Sequence, residues 1–305
     1  MKVGVILPLG EDPKLGRPPG YREVRDLALQ AEESGFDAIW LYDHLLYRFP
    51  ERGTMGVWEV WTFLSAIAEA TQRAELGTIV MCTAFRNPAL LAKMAETLDE
   101  VSEGRLTLGL GAGWHQPEFD AFGLPFDHKA GRFEEALQII VPLIKEGKVD
   151  FRGKYYSAPE CEIRPRGPRA GRLPILVAAA KPRMLQLTAR YADSWNTAWL
   201  GLPTLLGERR ERLEAACREV GRDPQTLEVT VGVSVAFPDL GDVPPFADDR
   251  DKCLGGSAEE IAAGLRAYEE LGVGQLICAC YPNTAAGLGK LAEALEVYRK
   301  SMVGG

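Results

Sequence analysis

The sequence predicts a (β/α)8 barrel on three observations. Strand-sized apolar runs alternate with helical patterns eight times along the 305 residues. The runs are apolar on both faces, as buried parallel strands are. No linker divides the chain, and a single α/β barrel routinely takes this length, so residues 1–305 read as one domain. A doubly wound sheet is the alternative, which eight near-regular units disfavour.

The first unit pairs a strand at Lys2–Pro8 with a helix at Tyr21–Ser34, and the second pairs Ala38–His44 with Trp58–Thr71. The third is Ala74–Thr83 with Pro88–Val101, and the fourth Arg105–Gly113 with Gly131–Gly147. Then follow Pro174–Ala180 with Pro182–Ala192, Ser194–Leu200 with Pro203–Val220, Leu227–Phe237 with Ala258–Leu271, and Gln275–Pro282 with Ala285–Met302. Pro88, Pro182 and Pro203 stand where a first helical residue is expected, because the missing N–H is one the helix would not use. Ser257 with Glu260 three positions on reads as a capping box. Two segments interrupt the rhythm. Lys148–Leu173 reads as a short hairpin and a Pro/Arg-rich loop packed outside the catalytic mouth. Pro238–Gly256 is a long connection after the seventh strand, where such loops serve as lids.

Composition narrows the function. A net charge of −8 without a basic stripe disfavours nucleic acid and anionic membrane surfaces. No apolar run approaches the roughly 20 residues of a membrane span, and Met1 leads straight into a strand, so no signal peptide is expected. Six scattered cysteines suit a reducing cytoplasm better than a disulfide framework. Cys278 and Cys280 share a strand face, but no second Cys or His pair accompanies them, so no metal site is expected.

The most informative stretch is RLTLGLGAGWHQPEFDAFG, Arg105–Gly123. An apolar strand ends in Gly111-Ala112-Gly113, where small residues let a ligand approach the backbone. Trp114 and His115 follow, a flat apolar wall and a proton carrier. On a barrel, His44, Cys82, Thr83, Trp114, His115 and Ala179–Lys181 all fall at strand C-terminal ends and face one mouth. An imidazole there can take a substrate proton. For an anionic phosphate, the N–H groups of Gly111-Ala112 and those of Ala179, Ala180 and Lys181 at a helix start are the candidates, with Arg183 close by. A second candidate is the helix start at Gly255-Gly256-Ser257.

This stretch, the preceding helix NPALLAKMAETLDEVSEGR, the Asp43-His44 pair and PILVAAAKP (Pro174–Pro182) together resemble the bacterial luciferase-like family. The resemblance implies a flavin or deazaflavin oxidoreductase using F420 or reduced FMN. The pattern GAGW-x-x-x-EF-x-AFG looks most like the F420-dependent branch, so hydride transfer to or from a small organic substrate is expected. An FMNH2-dependent monooxygenase is the alternative, and a non-catalytic flavin-binding protein a further one. The resemblance also implies a role for His44 at the reacting carbon, for Asp43 in orienting His44 or meeting the cofactor's ring, and for a non-proline cis peptide at Ile79-Val80 behind that ring. Family members commonly pair through the second and third helices, so a homodimer is expected. Trp114 stands where the sugar-phosphate dehydrogenases of the family carry a catalytic Glu, which makes that substrate improbable.

Overall fold

The structure is a computed structural model that describes residues 1–12, 15–51 and 53–303. In chain order its strands are β1 (Lys2–Ile6), β2 (Ala38–Leu41), β3 (Leu46–Phe49), β4 (Gly53–Gly56), β5 (Glu75–Thr78), β6 (Met81–Cys82) and β7 (Leu106–Gly111). They continue with β8 (Lys148–Arg152), β9 (Ser157–Glu162), β10 (Ile175–Ala178), β11 (Ser194–Leu200), β12 (Glu228–Ala236), β13 (Leu254–Gly255) and β14 (Gln275–Tyr281). The helices are α1 (Tyr21–Glu33), α2 (Val60–Ala70), α3 (Pro88–Val101), α4 (Gln116–Phe122), α5 (Lys129–Glu146), α6 (Pro182–Tyr191), α7 (Leu206–Glu219), α8 (Ala258–Glu270) and α9 (Ala285–Val303). Among the described residues, no helix is long and apolar enough to cross a membrane.

Two compact units are distinguished. One comprises Met1–Pro8, Arg22–Trp40 and Ala179–Gly305; the other comprises Leu9–Tyr21 and Leu41–Ala178. In the first, β11 pairs with β12, β12 with β14, β14 with β1 and β1 with β2, all parallel. The last long strand therefore lies beside the first, which a doubly wound sheet does not do. Trp40, Trp195, Tyr268 and Tyr298 are its largest buried side chains. In the second unit β5 pairs with β7 and β7 with β10, again parallel and in chain order. Eight parallel strands, each followed by a helix, make the (β/α)8 barrel that the sequence predicts.

Local signals behave as their chemistry requires. The Asn87 side chain accepts from the N–H groups of Ala89 and Leu90 with Pro88 in the first turn, and α8 begins with the expected capping box of Ser257 and Glu260. Pro203 departs from expectation: it opens a single 3-10 turn, and α7 begins at Leu206. The third strand, expected to run unbroken over Ala74–Thr83, is split into β5 and β6 by a cis peptide at Ile79-Val80, the position the family resemblance implies. Three further elements were not anticipated: the hairpin β3–β4 directly after His44, helix α4 directly after His115, and β13. Because β13 pairs with β12, the Pro238–Gly256 connection is partly ordered on the sheet.

The Lys148–Leu173 excursion is the expected antiparallel hairpin, β8 with β9. Its loop is pinned by two arginines. Arg166 donates to Glu96 Oε1 at 2.9 Å, and Arg169 bonds Asp99 Oδ1 and also donates to the carbonyl of Leu106. Leu106 is the first residue of β7, so Arg169 reaches the strand at the end opposite Gly111. The excursion thus anchors at the N-terminal end of β7.

Candidate active site

The second unit brings His44, Cys82, Thr83, Trp114 and His115 together, and it supplies their partners. His44 stands three residues beyond β2. Its Nδ1 lies 3.0 Å from Oε1 and 3.1 Å from Oε2 of Glu118, on α4. Glu118 Oε2 also accepts the backbone N–H of Leu45 at 2.9 Å. A carboxylate can only accept, so the Nδ1 proton sits on the ring and Nε2 is left as the nitrogen that takes up a proton. Glu118 is 1% exposed, so the dyad works where water competes little for its hydrogen bond.

The two histidines have different duties. His115 is 5% exposed, and its Nε2 accepts the N–H of Arg48 on β3 at 2.9 Å. Burial holds its imidazole below the ordinary range, which favours the neutral ring that this acceptor role needs. It ties the hairpin β3–β4 to the start of α4. Trp114 is 58% exposed, with its ring centroid 5.6 Å from that of His44. Tyr47 lies closer still to His44, at 4.3 Å.

Asp43 does not orient His44. Its Oδ2 accepts the N–H of Cys82 at 2.9 Å and a guanidinium N–H of Arg86 at 2.7 Å. Burial pushes its carboxyl up, and Arg86 opposes that shift. Glu59, which caps α2, also accepts from Arg86, at 2.5 Å. This network ties Cys82, the last residue of β6, to Asp43. Thr83 is buried, with its hydroxyl 3.4 Å from the carbonyl of Gly111. Burial pushes the Cys82 thiol up to about 12, which makes it an inert space-filling group.

The glycines of β7 have a second reason beyond ligand approach. A Cβ on Gly109 would lie 1.8 Å from the Thr78 carbonyl oxygen, and one on Gly111 would lie 2.5 Å from Val80 Cγ2. They are small so that the broken strand at Ile79-Val80 can pack on β7. Gly113 combines φ +74° with a Cβ direction blocked by Phe119 and Cys82.

In the first unit, Ala179 and Ala180 line a cavity of about 180 Å³ together with Thr197, Ala198, Arg209 and Arg212. Arg209 Nη1 donates to Thr197 Oγ1 at 2.8 Å and to Ala198 O at 2.9 Å, and Arg212 Nη2 donates to Ala180 O at 2.9 Å. Small walls and two guanidiniums fit an anionic phosphate. Lys181 is the N-cap of α6, exposed and without a side-chain cap hydrogen bond. The start of α8 is less suited to an anion, because Glu260 already accepts the Ser257 N–H and Glu259 adds a second acid to the first turn.

Sequence reasoning missed Glu118, Tyr47, Arg86, Arg209 and Arg212. Glu118 stood in the quoted motif, four residues after Trp114, without a partner; its partner is 74 residues away. The arginines carried no local signal.

Residues 1–242 match the family model described as luciferase-like monooxygenase. The chain is 35% identical over 224 residues to an F420-dependent glucose-6-phosphate dehydrogenase of Kineococcus radiotolerans, covering 68% of this chain and 63% of that protein. It is 32% identical over 255 residues to pyrimidine monooxygenase RutA of Methylorubrum extorquens, covering 77% of this chain and 67% of that one. The chain therefore spans less than two thirds of the first of these relatives. A solved F420-dependent secondary alcohol dehydrogenase, in complex with an F420-acetone adduct, shares the fold with a TM-score of 0.79 at 19% identity, over 97% of this chain and 98% of that one. With a family model matched from residue 1 to residue 242 and relatives above 30% identity, the chain belongs to the luciferase-like monooxygenase family.

Proposed function

We propose that the protein is a deazaflavin-dependent oxidoreductase that uses F420 to move a hydride to or from a small organic substrate, acting as one domain over residues 1–305. The observation that carries this reading is the His44–Glu118 dyad beside the exposed Trp114. Oxidising an alcohol by hydride loss requires a base for the hydroxyl proton, and His44 Nε2 is that base; in the reverse direction it returns the proton. A bound deazaflavin supplies the hydride acceptor or donor. Within the chain, Glu118 holds the tautomer and Trp114 gives the substrate a wall. Asp43, Thr83 and the Ile79-Val80 peptide are proposed to meet the cofactor's ring end, with the N–H groups of Gly111 and Ala112 kept as candidates for its phosphate. The second reading, an FMNH2-dependent monooxygenase, is favoured by the 32% identity to RutA. Anaerobic turnover separates them: reduced F420 should be oxidised by an added ketone, imine or alkene without O2, whereas turnover that needs reduced FMN and O2 would overturn the first reading.

Within the first unit, the cavity of Ala179, Ala180, Arg209 and Arg212 is proposed to take an anionic phosphate, with Lys181 as an outer contact. The double variant Arg209→Ala/Arg212→Ala should weaken cofactor binding by about 2 kcal/mol at low salt, the scale of charge-assisted hydrogen bonds. The loss should shrink as salt rises, because rim charges are screened. Unchanged affinity at low salt would place the phosphate elsewhere. A cytoplasmic location and a homodimer complete the reading; the homodimer is supported by Leu90 on α3 and Trp58 just before α2, both exposed.

A further inference from the structure

The mouth around His44 carries more aromatic surface than proton transfer needs. His44, Tyr47, Phe49, Trp114 and His115 form one continuous ring cluster in the second unit. Tyr47 stacks on Phe49 at 6.1 Å and 14° between planes, Phe49 lies 5.1 Å from His115, and His115 lies 5.0 Å from Trp114. Tyr47 closes the circuit at 4.3 Å from His44 and 6.5 Å from Trp114. The wall is built on purpose: the hairpin β3–β4 brings Tyr47 and Phe49, and the Arg48 N–H to His115 Nε2 bond locks it to Trp114's neighbour. Within that wall the indole of Trp114 is the ring left open, at 58% exposure.

We infer that the substrate is a flat, uncharged aromatic or heteroaromatic molecule that lies against Trp114 with its reacting group at His44 Nε2. This deepens the reading of His44 as the acid–base group and rests on it. Ring faces reward an offset or edge-on ring partner and give a polyol almost no hydrogen bonds. The charge at the wall points the same way. Glu118 sets a buried carboxylate behind His44, and Arg48, the cation within the described wall, donates from Nε to Thr54 Oγ1. A phosphorylated sugar, the substrate named for one relative, would meet ring faces along this wall and only the single exposed guanidinium of Arg48.

Calorimetric titration of indole, cyclohexanol and glucose 6-phosphate tests this, on the protein alone and with saturating F420 or FMN, with cofactor binding measured on the same samples. Indole should bind at least about tenfold tighter than either comparator. Trp114→Ala should cost indole about tenfold, the scale of one or two ring contacts, and Trp114→Phe should restore most of it. The exposed position of Trp114 keeps both variants folded. Indole affinity that ignores Trp114→Ala, or glucose 6-phosphate binding as tightly as indole, would overturn the inference. Cofactor binding without indole binding sinks the inference alone. Indole binding that depends on Trp114, with neither cofactor bound, supports the ring site and sinks the proposed function.

Discussion

Replacing His44 by Ala is expected to lower turnover about 10²-fold or more while cofactor binding persists. The ring is the one imidazole here that is both oriented and able to take a proton, since His115 Nε2 is occupied by the Arg48 N–H. The orientation comes from Glu118, and Glu118→Gln should show it. The carboxylate accepts from two donors, His44 Nδ1–H and Leu45 N–H. A glutamine whose carbonyl oxygen stays on Leu45 N–H turns its NH2 toward Nδ1. The ring then carries its proton on Nε2 and can no longer act as a base there. The expected result is a fall in kcat of roughly 10²-fold with KM little changed, as for loss of an interaction made in the transition state. Imidazole 15N spectra should report the Nδ1–H tautomer in the parent and the Nε2–H tautomer in the variant. A purely structural glutamate would change stability and leave the tautomer alone.

Arg86→Met should cost about 3–5 kcal/mol of folding stability at neutral pH, the scale for stranding one partner of a buried pair. Asp43 is 4% exposed and already pushed up by burial, with Arg86 as its counter-charge, and Glu59 faces the same guanidinium. A carboxyl raised in the fold above its unfolded value is favoured in its protonated form, so its ionisation costs stability as pH rises through the folded value. Without Arg86 that cost grows. Urea unfolding should therefore show the largest deficit near pH 8 and a smaller one near about pH 5, where Asp43 can take its proton. A deficit equal at both values would mean that the arginine acts by packing alone.

Much of the fold was legible because it is local. Apolar runs marked the long strands, Pro88 and Ser257/Glu260 marked helix starts, and the hairpin of Lys148–Leu173 was written in its interruption of the rhythm. What was missed is what packs at a distance. β3–β4 is short, half-exposed and without an Asn-Gly or Asp-Gly turn, so its residues read as loop. α4 is a single short helix whose Glu118 and Phe119 find their partners far along the chain or across a loop: His44 and Leu45 for Glu118, Phe85 and Phe126 for Phe119. His44, Trp114 and His115 could be picked from sequence as residue types. That His115 holds a hairpin while His44 holds a proton depends on which carboxylate and which N–H each one meets.

Equilibrium dialysis of the purified protein against F420 and, separately, against FMN tests the central claim most directly. The account predicts that F420 is retained in proportion to protein, more tightly than FMN, and that the Arg209→Ala/Arg212→Ala variant loses most of that retention at low salt. Retention of FMN with no uptake of F420, or uptake of neither, would contradict it.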